Sequence, residues 1–132
     1  MNKFGKSLSV MLCFLMLFGT VVCASTADSV WTYKNYSGTG HTSDRLKEQS
    51  GNVYCYPISG GSVYVTVQKM SNQSAAYSKK VKLNRGKQYT IVNSAGANCY
   101  VRLKFNSVNV DSTVNSGNWS PDASKDYTVV GR

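Results

Sequence analysis

The sequence predicts an all-β domain, built as a small antiparallel β-sandwich or a partly open barrel with one internal disulfide. Apolar and polar residues alternate in short runs rich in Val, Tyr and Ile, which is typical of half-buried strands. Gly and Asn cluster between these runs, where tight turns are expected. No segment after residue 24 has convincing helical spacing; TSDRLKEQ (42–49) comes nearest, but it is short and contains a single leucine.

The predicted strands follow one another along the chain with turn residues between them. The runs are NVYCYP (52–57), SVYVTVQKM (62–70), KKVKLN (79–84), KQYTIVN (87–93) and NCYVRLKFN (98–106). Gly60-Gly61 suits a tight hairpin between the first two runs. Asn84-Arg85-Gly86 offers a second turn, and residues 94–97 offer a third. Several short strands separated by turns predict a sandwich or a small barrel.

Residues 1–24 have the organisation of a secretory signal peptide. Lys3 and Lys6 form a positive amino-terminal region, and Leu8 to Val22 is an apolar run. Val22 and Ala24 are suitably small residues for cleavage after Ala24, and cleavage after Ala27 is the alternative. The run is shorter than the ~20 apolar residues that a membrane-spanning helix needs, which disfavours an uncleaved anchor. We therefore expect a secreted, extracellular protein with no transmembrane segment after cleavage.

The remaining residues, 25–132, amount to one domain of common size. We expect its core to extend from about residue 30 to 121, followed by a tail at 122–132. Cys13 and Cys23 leave with the signal peptide, so the domain retains Cys55 and Cys99. An even pair in an oxidising compartment predicts a disulfide, with two free buried thiols as the alternative.

The predicted disulfide fits the strand pattern. Cys55 and Cys99 each fall on the apolar face of a predicted strand. A bridge between them would lie inside the core and would fix the register of both strands, because a shift of one residue turns a side chain to the opposite face.

The charge distribution is strongly asymmetric. The chain carries a formal net charge of +9, and no acidic residue occurs between Glu48 and Asp111. That interval contains Lys69, Lys79, Lys80, Lys82, Arg85, Lys87, Arg102 and Lys104. Such a cluster favours anionic partners. The alternative is that the lysines solvate one side of a sheet and protect its edges from aggregation.

Tyrosines accompany the cations at outward positions of the predicted strands. Tyrosine is stiff and amphipathic, and it is enriched where surfaces bind other molecules. Burial of these rings beneath a loop is the alternative. The predicted binding residues are Tyr54, Tyr56, Tyr64, Tyr100, Arg102 and Lys104, supported by Lys79, Lys80, Lys82 and Lys87.

No arrangement of residues indicates catalysis. His41 is the single histidine and lies in the loop-like stretch SGTGHTSD, without a specific nucleophile or orienting carboxylate. The carboxylates lie near the ends of the domain and form no pair suited to glycoside cleavage. One histidine, two cysteines and scattered aspartates do not make a metal site. We predict a non-enzyme with no catalytic residues, no metal and no cofactor.

The segment VNSGNWSPDAS (114–124) contains Gly117, Trp119, Ser120, Pro121 and Asp122. It resembles the ending of a group of small secreted proteins from Gram-positive bacteria, which close with a Gly-aromatic-Trp-Ser-Pro-Asp-Ser-like segment after a Tyr-rich β domain. Asn118 stands where that group usually has an aromatic residue. The resemblance implies no activity. The chain also resembles, by class only, the lactococcin-972-like bacteriocins.

Together these features predict a secreted protein that binds an anionic or glycan-bearing surface. Its partner would be an anionic polymer of the cell wall, a lipid headgroup, a glycan or an acidic protein surface. Nucleic acid fits the charge but not an exported location. The alternatives are a bacteriocin-like or toxin-like antagonist and an adhesin or inhibitor of a host protein. We expect Trp31 and Trp119 to anchor the core.

Overall fold

The computed structural model describes residues 26–70 and 75–132, so the predicted signal peptide, with Cys13 and Cys23, lies outside the described residues. The described part is all-β, with ten strands, one short 3₁₀ turn at Asn35–Ser37 and no α-helix. The strands are β1 (Ser29–Lys34), β2 (Thr39–His41), β3 (Arg45–Lys47), β4 (Val53–Ser59), β5 (Val63–Lys69), β6 (Val81–Leu83), β7 (Tyr89–Ile91), β8 (Cys99–Ser107), β9 (Val114–Ser120) and β10 (Thr128–Val130).

The strands form two separate sheets of five strands each. The first sheet has the order β1-β9-β4-β7-β10, and the second has the order β2-β8-β5-β6, with β3 also pairing with β8. The pairing is antiparallel except between β7 and β10, which are parallel. The all-β prediction is confirmed, and of the two predicted architectures the two-layer arrangement is the one found.

The core lies between the two sheets and follows the alternation of the sequence. On β8, Val101, Leu103 and Phe105 face inward with at most 1% of their surface exposed. Trp31 of the first sheet packs against Phe105 of the second, with ring centroids 4.6 Å apart. Trp31 and Trp119 are only 3% and 1% exposed, which confirms that both indoles anchor the core.

The hairpins predicted at Gly60-Gly61 and at residues 94–97 are wrong, because both segments carry the chain from one sheet to the other, as does the turn at residues 84–86. Gly60-Gly61 joins β4 of the first sheet to β5 of the second. The turn at residues 84–86 joins β6 to β7, and residues 94–97 join β7 to β8, again between sheets. Gly60 has φ of 97°, and a Cβ there would stand 2.8 Å from the Asn115 backbone, so this crossing requires glycine.

Residues 122–132, which the sequence predicts to be a tail, contribute to the fold. Asp122 is 2% exposed and forms an ion pair with Lys47. Strand β10 then pairs in parallel with β7, with Val129 opposite Thr90. The amide of Tyr127 also donates to Thr90 Oγ1 at 2.9 Å. The carboxyl-terminal segment therefore completes one edge of the first sheet.

The predicted Cys55–Cys99 disulfide is wrong, since both thiols are free and do not lie at disulfide distance. Cys55 lies within β4, opposite Trp119 of β9, whereas Cys99 begins β8, opposite Lys47 of β3. The Cys99 thiol donates to the Gly96 carbonyl at 3.0 Å. Alternation predicted the inward face of each strand, but it carried no information about where along the core each cysteine lies.

Candidate functional site: a basic face on the second sheet

The outward side of the second sheet brings together six of the ten predicted binding residues. Strand β8 contributes Tyr100, Arg102 and Lys104, and β5 contributes Tyr64. Lys82 lies on β6, and Lys80 lies just before that strand. We call the surface formed by Tyr64, Lys80, Lys82, Tyr100, Arg102 and Lys104 the basic face.

The pairing register arranges these cations in two columns. Tyr64 of the central strand β5 lies opposite Lys82 on one side and Asn106 on the other. Lys104 lies opposite Thr66, and Arg102 lies opposite Gln68. Cations two positions apart on one strand are roughly 7 Å apart, and the columns on β6 and β8 are separated by about 10 Å. An extended polyanion could therefore meet both columns at once.

Local contacts support the side chains of the basic face. The Lys80 ammonium lies 5.2 Å from the centre of the Tyr64 ring, within the range of a cation–π interaction. Arg102 Nε donates to Gln68 Oε1 at 3.2 Å. Tyr100 is 50% exposed, so its ring is available for stacking against a ligand. These contacts hold the Arg102 guanidinium and the Lys80 ammonium against the sheet.

His41 lies beside the basic face, on the neighbouring edge strand β2. It lies on β2 directly opposite Lys104 of β8. Partial burial lowers the pKa of His41 from its usual 6.5, and the charges of Arg102 and Lys104 lower it further. Asp44 lies in the link between β2 and β3. The lowered pKa of His41 is therefore a measure of the positive electrostatic potential beside the basic face.

Tyr54 and Tyr56 are placed elsewhere, since both lie on β4 in the first sheet. The prediction that Tyr54 points into solvent is wrong: it is 8% exposed, its hydroxyl donates to Gln88 Oε1 at 3.0 Å, and its ring lies 5.0 Å from that of Tyr127. Burial raises the pKa of Tyr54 to about 12. Tyr56 is partly buried on the same strand. Neither ring belongs to the basic face.

Lys79 and Lys87 are exposed but lie outside the basic face as defined here. Lys79 donates to the backbone carbonyl of Arg132 at the carboxyl terminus. Lys87 lies in the crossing between β6 and β7. Their charges add to the surrounding potential without contributing to the two columns.

Sequence reasoning missed a cleft between the edge strands of the two sheets. It has a volume of about 270 Å³ and lies between β1 on one side and β2 with β3 on the other, with His41 and Arg45 in its lining. The Arg45 guanidinium lies 5.6 Å from the Trp119 ring centre and donates to the Ala27 carbonyl at 2.7 Å. No sequence signal marked this cleft, because its walls come from segments far apart in the chain.

Sequence reasoning also missed a buried polar cluster around Lys47 and Asp122. Lys47 Nζ lies 2.8 Å from Asp122 Oδ1 and donates to the Pro121 carbonyl at 2.8 Å. Asp122 Oδ2 accepts from the backbone amides of Glu48 and Gln49 at 2.9 and 3.3 Å. The Trp-Ser-Pro-Asp segment thus places a carboxylate beneath the second sheet. A lysine in an alternating strand gives no sign of whether it is buried.

Within residues 26–70 and 75–132, no group of three or more His, Cys, Asp or Glu side chains could hold a metal ion. Over the same described residues, no helix is long and apolar enough to cross a membrane.

The family model "Protein of unknown function (DUF2712)" matches residues 19–123, which is most of the chain. The chain therefore belongs to the DUF2712 family. The matched region includes the whole basic face, together with both Lys47 and Asp122. No curated protein and no solved structure matches the chain.

Proposed function

We propose that this protein is a secreted, non-enzymatic binding protein that attaches to an anionic surface through the basic face. The observation that supports the proposal is the outward side of the second sheet, where four cations and two tyrosines lie on or next to the strands, with no carboxylate among the described residues of β5, β6 and β8. Surface cations of one sign steer anionic partners and raise their local concentration. The signal-like residues 1–24 support an extracellular target.

The chemistry favours a repeating anion over a single small ligand. The basic face is a sheet surface, and its two columns of cations can contact several charges of one polymer or several headgroups of one membrane. Each contact on such a surface contributes little alone and is screened by salt. Attachment therefore depends on many simultaneous contacts and weakens as the salt concentration rises.

The test is retention of the purified protein on anionic material across a salt series. Vesicles of phosphatidylglycerol and a purified phosphate-bearing cell-wall polymer serve as probes, with phosphatidylcholine vesicles as the neutral control. We expect retention on the anionic probes at low salt, loss at high salt, and no retention on neutral vesicles. Retention that is unchanged by salt, or equal on neutral vesicles, would contradict the proposal. A parallel growth-inhibition assay on other bacteria separates simple attachment from a bacteriocin-like action.

A further inference from the structure

The Lys47–Asp122 pair is buried to an extent that is unusual for two charged side chains. Lys47 is 0% exposed and Asp122 is 2% exposed. Removing two charges from water carries a large desolvation penalty, which their attraction repays only with excellent geometry. The pair also joins the layers, since Lys47 ends β3 of the second sheet and Asp122 follows β9 of the first. A neutral link between these atoms would remove the cost of burying the charges.

The hydrogen bonds around the pair already match those of an amide. Lys47 Nζ donates to the Pro121 carbonyl at 2.8 Å, which is the bond that one remaining N–H would make. Asp122 Oδ2 accepts from the Glu48 amide at 2.9 Å, which is the bond that an amide carbonyl would accept. Oδ1, which lies 2.8 Å from Nζ, is the oxygen that would leave. Condensation therefore preserves both of these bonds to the surrounding backbone.

We propose that Lys47 and Asp122 condense in the folded protein to form an intramolecular amide bond between their side chains. A proton first passes from the Lys47 ammonium to Asp122 Oδ1, leaving a neutral amine and a neutral carboxylic acid. The nitrogen then attacks Cγ, and the electron pair of the C=O bond moves to Oδ2. A second proton passes from nitrogen to Oδ1, the Cγ–Oδ1 bond breaks, and one water molecule leaves as Oδ2 becomes the amide carbonyl.

The surroundings favour each of these steps. Lys47 Nζ and Asp122 Oδ1 lie 2.8 Å apart, so a proton passes directly between them. The fold holds the nitrogen and the carboxyl group in contact, which replaces a slow bimolecular encounter with an intramolecular one. The backbone amides of Glu48 and Gln49 point at Oδ2, where negative charge develops during attack. The positive charge of Arg45 also acts on Asp122 and stabilises the same oxyanion.

The bond would connect two residues 75 positions apart and would tie the second sheet to the end of the first. This inference is independent of the proposed binding function, because neither residue belongs to the basic face. It assigns a modification site to the carboxylate of the Trp-Ser-Pro-Asp segment.

The test is the intact mass of the purified full chain, compared with the mass calculated from its observed amino terminus. We expect a deficit of one water molecule and a branched tryptic peptide that contains Lys47 and Asp122, with no cleavage after Lys47. An intact mass equal to the calculated value would overturn the proposal. A deficit that maps to another aspartate, as in a cyclic imide, would also overturn it.

Two variants make the assignment specific. Lys47→Arg retains the positive charge but lacks the attacking amine, so it should have the full calculated mass. Asp122→Asn can form the same amide by losing ammonia, so its final mass should equal that of the cross-linked wild type. A mass deficit of one water in Lys47→Arg would show that the loss arises elsewhere and would contradict the proposal. The branched peptide of the wild type decides the question even if a variant fails to fold.

Discussion

Gly117 of β9 lies against the indole of Trp31: a Cβ atom there would stand 2.8 Å from Trp31 Cζ2 and 2.1 Å from the backbone carbonyl oxygen of Tyr56. Trp31 and Gly117 are register partners in the β1–β9 pair. The glycine of the Gly-x-Trp-Ser-Pro-Asp segment is therefore needed for space, because a side chain there would overlap the β4 backbone and the Trp31 indole. The buried indole of Trp31 fills the space that a side chain at position 117 would occupy.

Gly117→Ala should lower the free energy of unfolding by roughly 1–3 kcal/mol, because overpacking forces the indole or the β4 backbone to move. Urea-induced unfolding followed by tryptophan fluorescence measures the change. Gly96→Ala is the matched control, since nothing lies within 4 Å of a Cβ at that position. Its effect should stay below about 1 kcal/mol. Equal losses in both variants would contradict the packing argument.

Lys47→Ala should destabilise the protein by about 3–5 kcal/mol, because it leaves the Asp122 carboxyl group buried without its ammonium partner. If the pair is joined as an amide, the loss should be larger, because the variant also lacks a cross-link that restricts the unfolded chain. Equilibrium unfolding in urea checks the magnitude. Lys87→Ala, at an exposed position, should change the unfolding free energy by no more than about 0.5 kcal/mol. A Lys47→Ala effect as small as that of the control would show that the buried pair contributes nothing.

The inward faces of the strands could be predicted from the sequence, and the connections between strands could not. The alternation in β8 correctly placed Val101, Leu103 and Phe105 in the core. The alternation of a strand is the same whether the next strand in the chain pairs with it or lies in the opposite sheet. The turn at Gly60-Gly61 was therefore predicted as a hairpin although it joins the two layers.

The sequence predicted only part of the candidate site, because alternation shows which face of a strand a residue occupies but not which sheet the strand joins. Tyr64, Arg102 and Lys104 came together because their strands are neighbours in one sheet. Tyr54 was misplaced because its strand belongs to the other sheet, and its outward side is covered by Tyr127. The ion pair between Lys47 and Asp122 joins residues 75 positions apart. A local sequence pattern carries no information about such a distant contact.

His41 should titrate below its usual pKa of 6.5, because burial and the charges of Arg102 and Lys104 disfavour the imidazolium. Its folded-state pKa is depressed, so its contribution to stability is present above pH 6.5 and declines as the pH falls towards the folded-state pKa. Because His41 is the single histidine, one imidazole resonance in an NMR titration reports it.

The same titration tests the origin of the potential at His41. Lys104→Gln should raise the His41 pKa towards 6.5, whereas Lys125→Gln, outside the basic face, should leave it unchanged. Saturating phosphatidylglycerol vesicles should also raise it, since anions on the basic face offset the positive charge. A wild-type pKa at or above 6.5, or equal responses to both substitutions, would contradict this account.

Tyr127→Ala should uncover Tyr54 and lower the pKa of its phenol from about 12 towards 10, because burial is the main cause of the raised value. Removal of the Tyr127 ring, 5.0 Å away, admits water to Tyr54. The Tyr54 resonance of protein with labelled tyrosine, assigned by comparison with Tyr54→Phe, measures the pKa. Tyr36→Ala, at a ring that is 60% exposed, should have no effect on Tyr54. An unchanged Tyr54 pKa in Tyr127→Ala would mean that other groups bury the phenol.

Removing the four cations of the basic face should abolish most attachment to anionic material while leaving the fold intact, since their side chains lie outside the core. If each cation neutralises one anion, the plot of log affinity against log salt should become shallower by up to about 4. The test variant replaces Lys80, Lys82, Arg102 and Lys104 by Gln. The control variant removes the same charge from other exposed positions, replacing Lys34, Arg85, Lys125 and Arg132 by Gln.

Retention on phosphatidylglycerol vesicles across a salt series compares the two variants, with urea unfolding as the check on folding. The control variant should bind somewhat more weakly at low salt, because net charge steers encounter, but it should keep most of the wild-type salt slope. If the two variants lose affinity and slope equally, attachment follows net charge alone, and the arrangement of cations around Tyr64 has no special role. A loss confined to the variant of the basic face would locate the binding surface on the second sheet.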